Sequence, residues 1–208
     1  MRYLELESWN RIQHFKHFKS LKDPFFAITT SVDVTIAYKK AKKENVSFFA
    51  LYLHACLKAL NAVENFRYRI HDNKVAVYDV IHASATIARP NHTFGFSFIN
   101  FSEDFKTFHK NFKKEKERIL NSATLFPLVN SDDCMYCSAL PWVSFTSQKE
   151  PNAGIKDDSI PKLAFGKFTE DNKQLKMPVG ITVNHALVDG YHLGLFFKEF
   201  QSQLDKNN

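Results

Sequence analysis

Residues 183–190 carry the sequence VNHALVDG, an H-x-x-x-D-G pattern that joins an apolar segment to an amphipathic one. The apolar segment before it, residues 175–183, predicts a buried strand, and the apolar positions of residues 193–204 recur at helical spacing. The pattern therefore predicts a strand–turn–helix unit whose turn carries His185 and Asp189. Titratable side chains on such a connection are candidates for a functional site.

Working outward, the rest of the chain mixes helical and strand patterns, which predicts an α/β fold in one domain spanning residues 1–208. Helical patterns cover residues 8–22, 39–43, 47–65 and a segment capped by Ser102, and a hairpin is expected over 66–78. Strands are expected at 26–34, 81–88, 93–99, 134–138, 143–146, 163–169 and 175–183. The polar stretch 148–161 is the best candidate for a surface loop.

The composition is that of a globular protein with a basic excess, having a net charge of +6 and 21 Phe among 208 residues. The lysines lie on predicted helices as solvated faces, so we expect no nucleic-acid partner. No 18-residue apolar run or leader-like segment occurs, so we expect no membrane association and a cytoplasmic location.

The cysteines give no strong signal. Cys134 and Cys137 form a C-x-x-C pair, but a zinc site needs four ligands and no second pair exists. The segment after Cys137 has a strand-and-turn pattern, whereas a thioredoxin-like pair precedes a helix. We expect no metal site, and the role of these two cysteines stays open.

The residues of the H-x-x-x-D-G pattern allow several interpretations. An imidazole can take a proton from a hydroxyl, which makes His185 a candidate general base. A metal site of His185, Asp189 and His192 would need an uninterrupted helix, against which the strand end and Gly190 argue. No G-x-S-x-G nucleophile motif is present. A histidine that only satisfies backbone groups stays open on the pattern alone.

Four segments together resemble the chloramphenicol acetyltransferase family. They are the H-x-x-x-D-G pattern, WNRIQHF at 9–15, ENFR at 64–67, and SALPWVSF at 138–145. Their order and spacing are similar to the family's from Trp9 to Phe200. The resemblance implies a two-layer mixed sheet with flanking helices, and a homotrimer with active sites between subunits.

The resemblance also implies an activity and its residues. His185 would deprotonate an acceptor hydroxyl for direct attack on the thioester of acetyl-CoA, a co-substrate, with no bound cofactor. Ser138 would stabilise the oxyanion, and Asp189 would form a buried ion pair with Arg11. Arg11 can make such a pair in bidentate fashion, and the first turn of the last helix favours a carboxylate.

Substrate positions follow from the same resemblance. Phe18, Phe94 and Phe126 would bind the acceptor, a small hydroxylated molecule. Trp142 and Lys167 would bind the coenzyme.

Four positions depart from the family pattern, which leaves the acceptor undecided. Phe96 stands where a small residue is usual, and Gln148 replaces an aromatic residue. Lys162 replaces an aliphatic residue and Ala164 a threonine. The leading hypothesis is an acetyltransferase acting on chloramphenicol. The alternatives are an acyltransferase with another hydroxylated or amine acceptor, and a non-catalytic descendant that only binds ligands.

Overall fold

The computed structural model describes residues 1–129, 131–152, 154–155 and 157–206. Its helices are α1 (Ile12–Lys19), α2 (Thr35–Lys43), α3 (Phe48–Ala62), α4 (Phe105–Leu120) and α5 (Gly190–Leu204), with a 3₁₀ turn at Glu64–Arg67. Its strands are β1 (Arg2–Tyr3), β2 (Phe25–Asp33), β3 (Tyr68–His71), β4 (Lys74–Val77), β5 (His82–Ala88), β6 (Phe94–Phe96), β7 (Cys134–Leu140), β8 (Lys162–Gly166), β9 (Thr169–Asp171) and β10 (Gln174–Asn184).

A mixed sheet with flanking helices forms the centre of the fold, as predicted. Its strand order is β2-β10-β8-β7-β5-β6, with β9 added beside β10. The pairs β5–β7 and β7–β8 are parallel, whereas the other pairs of this sheet are antiparallel. A smaller antiparallel sheet has the order β1-β4-β3. The segment SALPWVSF (138–145) begins near the end of β7, and VNHALVDG (183–190) begins at the end of β10. The site residues on these segments therefore lie at strand ends of the large sheet.

The core lies between the sheet and the central helices. α3 is apolar nearly all round and buried along most of its length, and it packs against α5, α2 and α4. The Ser47 side chain caps its start by accepting a hydrogen bond from the Ala50 amide at 3.3 Å. The apolar face of α5 is buried at Leu193, Phe196, Phe200 and Leu204. Within the described residues, none of the helices has the length and apolar character that crossing a membrane requires.

Several predicted elements differ from the structure. Residues 143–146 form no strand; instead, the Val143 carbonyl oxygen accepts a hydrogen bond from the Lys167 amide at 2.8 Å, and most of these side chains are exposed. α4 is capped by Asp104 rather than by Ser102, since the Asp104 carboxylate accepts from the Thr107 amide. The predicted strands 93–99 and 163–169 are shorter than expected, because apolar spacing does not show where pairing ends.

Candidate active site

The turn between β10 and α5 carries the candidate base and is held by backbone hydrogen bonds. The His185 amide donates to the Pro24 carbonyl oxygen at 2.8 Å, which ties the turn to the start of β2. The Asn184 side-chain oxygen accepts from the Ala186 amide at 3.0 Å. Asn65 donates to the Leu187 carbonyl oxygen at 2.8 Å. One hydrogen bond within the turn and two from other segments therefore fix the backbone on both sides of His185.

The His185 ring is held between two aromatic rings. It stacks on Phe18 with centroids 3.9 Å apart and lies 4.4 Å from the Phe26 ring. Its Nδ1 is buried and has no hydrogen-bond partner among the described residues. The side chain as a whole is only partly buried, and Nε2 is not one of the buried atoms that lack a partner, so Nε2 is the candidate nitrogen for contact with a substrate. This arrangement leaves one nitrogen of the imidazole available for proton transfer.

Asp189 is the N-cap of α5 and organises the end of the turn. It accepts from the Tyr191 amide at 3.0 Å and forms an ion pair with Arg11. The neighbouring His192 completes a capping box, because its Nδ1 accepts from the Asp189 amide at 3.1 Å. From the sequence, His192 was considered only as a metal ligand, and its capping role was not predicted.

The charges around Asp189 favour its carboxylate form. Burial acts to raise the pKa of Asp189, but the hydrogen bond and charge of Arg11, with the hydrogen bond from the Tyr191 amide, hold this pKa below its usual value. Burial lowers the pKa of His192, and the opposing charge of Asp189 does not restore it. Asp189 is thus an organising anion rather than a proton acceptor near neutral pH.

The Arg11–Asp189 pair differs from the predicted one in its geometry. Arg11 bonds the carboxylate through one terminal nitrogen, Nη1, while its Nη2 and Nε are buried without partners in the described chain. The bidentate prediction was therefore wrong. The uninterrupted helix that the metal interpretation required is not formed, because His185 precedes α5 and Asp189 is its N-cap.

Ser138 lies on β7 and lines a cavity of about 700 Å³, a volume typical of small-molecule sites. Phe94, Phe96 and Phe126 line the same cavity. Their rings form a cluster, with centroids 5.5 Å apart for Phe94–Phe96 and 5.7 Å apart for Phe96–Phe126. The cavity thus has an aromatic wall and a serine hydroxyl.

The predicted site residues fall into two groups. Ser138, Phe94 and Phe126 line the cavity. The other group comprises His185, Phe18, Arg11 and Asp189, and none of these is among the described residues that line it. One chain therefore does not bring the histidine into the wall of its own cavity.

The two coenzyme candidates lie on neighbouring segments. Trp142 follows β7 and is 74% exposed, and Lys167 follows β8 and is also exposed. The hydrogen bond from the Lys167 amide to Val143 joins the segments. An exposed indole and an exposed ammonium group on two joined segments suit a ligand that has a ring system and phosphates.

Of the four positions that depart from the family pattern, two line the cavity and two do not. Phe96 and Lys162 line the cavity. Gln148 instead packs against Gly180 of β10, where an added Cβ would lie 2.6 Å from its Nε2, and Ala164 is fully buried. Gln148 and Ala164 therefore do not line the cavity.

Two acidic residues, Glu150 and Asp158, also line the cavity and were not predicted from the sequence.

Comparison with known proteins gives a consistent result. The family model described as "CAT: Chloramphenicol acetyltransferase" matches residues 1–201. A chloramphenicol acetyltransferase of Klebsiella sp is 27% identical, with 98% of this chain and 93% of the relative covered. One of Staphylococcus aureus is 28% identical, with 99% and 96% covered.

Solved structures agree with the sequence comparisons. A chloramphenicol acetyltransferase structure superposes with a TM-score of 0.88 at 29% identity, covering 98% of this chain and 99% of that one. The dihydrolipoamide acetyltransferase of Azotobacter vinelandii has a TM-score of 0.66 at 16% identity, covering 90% and 84%, which shows a shared fold alone.

Proposed function

Because the chain belongs to the chloramphenicol acetyltransferase family, we propose that it transfers the acetyl group of acetyl-CoA to a hydroxyl group of a small molecule, with His185 as general base. The observation that carries the proposal is the environment of the His185 ring, which is packed against Phe18 and Phe26 and is only partly buried. The chain acts as one acetyltransferase domain.

The proposed reaction balances with one base and one oxyanion donor. His185 Nε2 takes the proton of the acceptor hydroxyl, whose oxygen attacks the thioester carbonyl carbon directly. Ser138 donates a hydrogen bond to the resulting oxyanion. The tetrahedral intermediate then expels the thiolate of coenzyme A, which receives the proton from the imidazolium. No acetyl-enzyme forms.

We further propose that the protein is a homotrimer in which His185 of one copy serves the cavity of its neighbour. The division of the site residues into two groups supports this arrangement. Exposed apolar side chains beside the cavity support it as well, since Phe126 is 68% and Leu128 is 94% exposed. Apolar patches of this kind mark interfaces or binding sites.

Thiol release from acetyl-CoA tests the activity directly. We expect release to require a hydroxylated acceptor, with chloramphenicol as the first compound assayed and mass spectrometry showing one added acetyl group. Acceptor-independent release, or no release with any hydroxylated compound, would contradict the proposal.

Mixing two inactive variants tests the shared site. His185→Ala removes the base and Phe126→Ala damages the cavity, so subunit exchange should restore part of the activity by forming some intact sites. Sedimentation should give a trimer. A fully active monomer, or no recovery between two variants that assemble normally, would contradict the arrangement.

A second acceptor class, different from chloramphenicol, is favoured by one specific observation. The wall of the cavity carries charged groups, among them Lys162 and Glu150, beside the aromatic cluster of Phe94, Phe96 and Phe126. Desolvating a charge against an apolar ligand is costly. The same thiol-release assay, with a panel of neutral and charged hydroxylated compounds, distinguishes the two classes.

A further inference from the structure

Charged side chains line the same cavity as the aromatic cluster. They are Arg69, Asp132, Glu150, Asp157, Asp158 and Lys162. Fixed charges around a neutral, largely apolar acceptor weaken its binding, because each unpaired charge must be desolvated when the acceptor binds. Which of these charges is already neutralised by the protein therefore decides what the cavity recognises.

Two of the carboxylates have their own lysine partners. Asp158 accepts from Lys162 at 2.9 Å, and these side chains are only 12% and 10% exposed. The Lys162 ammonium also lies 4.9 Å from the centre of the Phe25 ring. Asp157 pairs with Lys19 at 3.1 Å. Both pairs are internally balanced and present little net charge to a ligand.

Arg69 and Asp132 are likewise engaged by the protein. The fully buried Arg69 guanidinium donates to backbone carbonyl oxygens of Phe66, Tyr68, Asp132 and Cys134. The Asp132 carboxylate bonds His71 at 2.7 Å and accepts from the Tyr78 hydroxyl. These groups hold the strands together and have little capacity left for a ligand.

Glu150 is the carboxylate that remains. It is half-buried in the cavity wall, and within the part of the chain that the structure describes, no side chain or backbone group donates to it. Burial raises the pKa of Glu150, and the opposing charge of Lys162 does not cancel the effect. Lys162 is itself committed to Asp158. A cation from the ligand would give Glu150 the partner that the described protein lacks.

The geometry points to an acceptor that bears a protonated amine, bound by Glu150, with its apolar part against Phe94, Phe96 and Phe126. The inference rests on the acetyltransferase function proposed above and names the class of its acceptor. An ammonium group gives Glu150 charge-assisted hydrogen bonds, whereas a neutral group leaves a partly desolvated carboxylate poorly satisfied. An anionic acceptor would meet repulsion.

A matched pair of ligands tests this class by binding alone. Chloramphenicol is neutral, and the primary amine obtained by removing its dichloroacetyl group keeps the same nitrophenyl-propanediol skeleton and is largely protonated at neutral pH. Calorimetry without acetyl-CoA should show at least ~10-fold tighter binding of the amine to the wild-type protein, in the range expected for a charge-assisted contact. Equal binding, or no binding of the amine, would overturn the inference.

Two substitutions assign the preference to Glu150. Glu150→Gln keeps the shape and removes the charge, so the amine and chloramphenicol should bind within about twofold of each other. Glu150→Leu should reverse the preference in favour of chloramphenicol. Glu170→Gln, at an exposed position on β9, is the matched control and should keep the wild-type ratio. A Glu150→Gln protein that keeps the full amine preference would refute the assignment.

The outcome separates this inference from the acetyltransferase proposal. Thiol release with chloramphenicol but no preference for the amine would refute the amine class and leave the activity standing. A preference for the amine that depends on Glu150, without thiol release from acetyl-CoA for any acceptor, would refute the activity and leave the ligand class standing.

Discussion

The rings of His185 and Phe18 stack face to face, with centroids 3.9 Å apart and planes inclined by 3°. Phe18 lies near the end of α1, far from His185 in sequence, so this contact sets the orientation of the imidazole from outside its own turn. A base that must meet a hydroxyl proton within hydrogen-bonding distance depends on such orientation.

Phe18→Leu should therefore lower kcat with little effect on the melting temperature. Stacked aromatic pairs contribute about 0.5–1.5 kcal/mol beyond burial, which corresponds to a roughly 2- to 10-fold loss. Steady-state kinetics and thermal unfolding check the two effects. Phe101→Leu removes a ring that stacks on His54 instead and should leave kcat unchanged. Equal losses in both variants would show that the Phe18 stack has no special role.

Asp189→Asn should lower stability and activity together. Asparagine keeps the N-cap of α5 but leaves the partly buried Arg11 unpaired, at a cost of about 2–4 kcal/mol. Denaturant unfolding measures this cost. Asp79→Asn, which removes an 82% exposed partner of the N-terminus, should leave the free energy of unfolding close to that of the wild type. Lost activity at unchanged stability would instead indicate a direct catalytic role for Asp189.

Ser138→Ala should lower kcat by roughly 10²–10³-fold, the usual effect of removing an oxyanion donor. Stability should change little, because the hydroxyl makes no hydrogen bond to a described residue. The exposed Ser144→Ala in the following turn is the control and should have wild-type kinetics. An unchanged kcat in Ser138→Ala would remove this serine from the mechanism.

His192 should make the folded state sensitive to mild acid. Burial lowers the pKa of folded His192 below its ordinary value of 6.5, so the unfolded chain binds this proton more readily. The contribution of neutral His192 to the free energy of unfolding is therefore fully present above pH 6.5, and it is lost as the pH falls below that value. Thermal unfolding from neutral to mildly acidic pH should show a steeper loss for the wild type than for His192→Gln. His92→Gln, on an exposed loop, should retain the wild-type slope, and an identical slope in all three proteins would contradict the assignment.

The local parts of the site were predictable from the sequence, and its long-range contacts were not. The pattern at 183–190 correctly placed His185 on a strand-to-helix turn and Asp189 at the head of α5. The spacing of apolar residues predicts which positions are buried and whether a segment is a helix or a strand. The loop that carries Glu150 to the cavity has no such spacing and no motif, so its position could not be predicted. Its position depends on contacts between distant segments, such as the hydrogen bond from Asn184 to the Asp158 carbonyl oxygen.

Residues 143–146 are a second case in which local sequence did not predict the structure, here a predicted strand that does not form. Their composition is that of a strand, but β7 ends at Leu140 and the chain turns away, which leaves Trp142 and Val143 exposed. Strand propensity describes a half-buried surface and does not specify whether a neighbouring strand is available. The His192 capping box was detectable, since Asp189 and His192 have the N-cap and N3 spacing, with histidine in place of the usual acid or amide.

The most direct test of the account is the rate of thiol release from acetyl-CoA by His185→Ala with a working acceptor, compared with the wild type. Losing the general base should reduce kcat by at least ~10²-fold, while coenzyme binding and the melting temperature stay close to wild type. A well-folded His185→Ala protein that turns over at the wild-type rate would contradict the central claim.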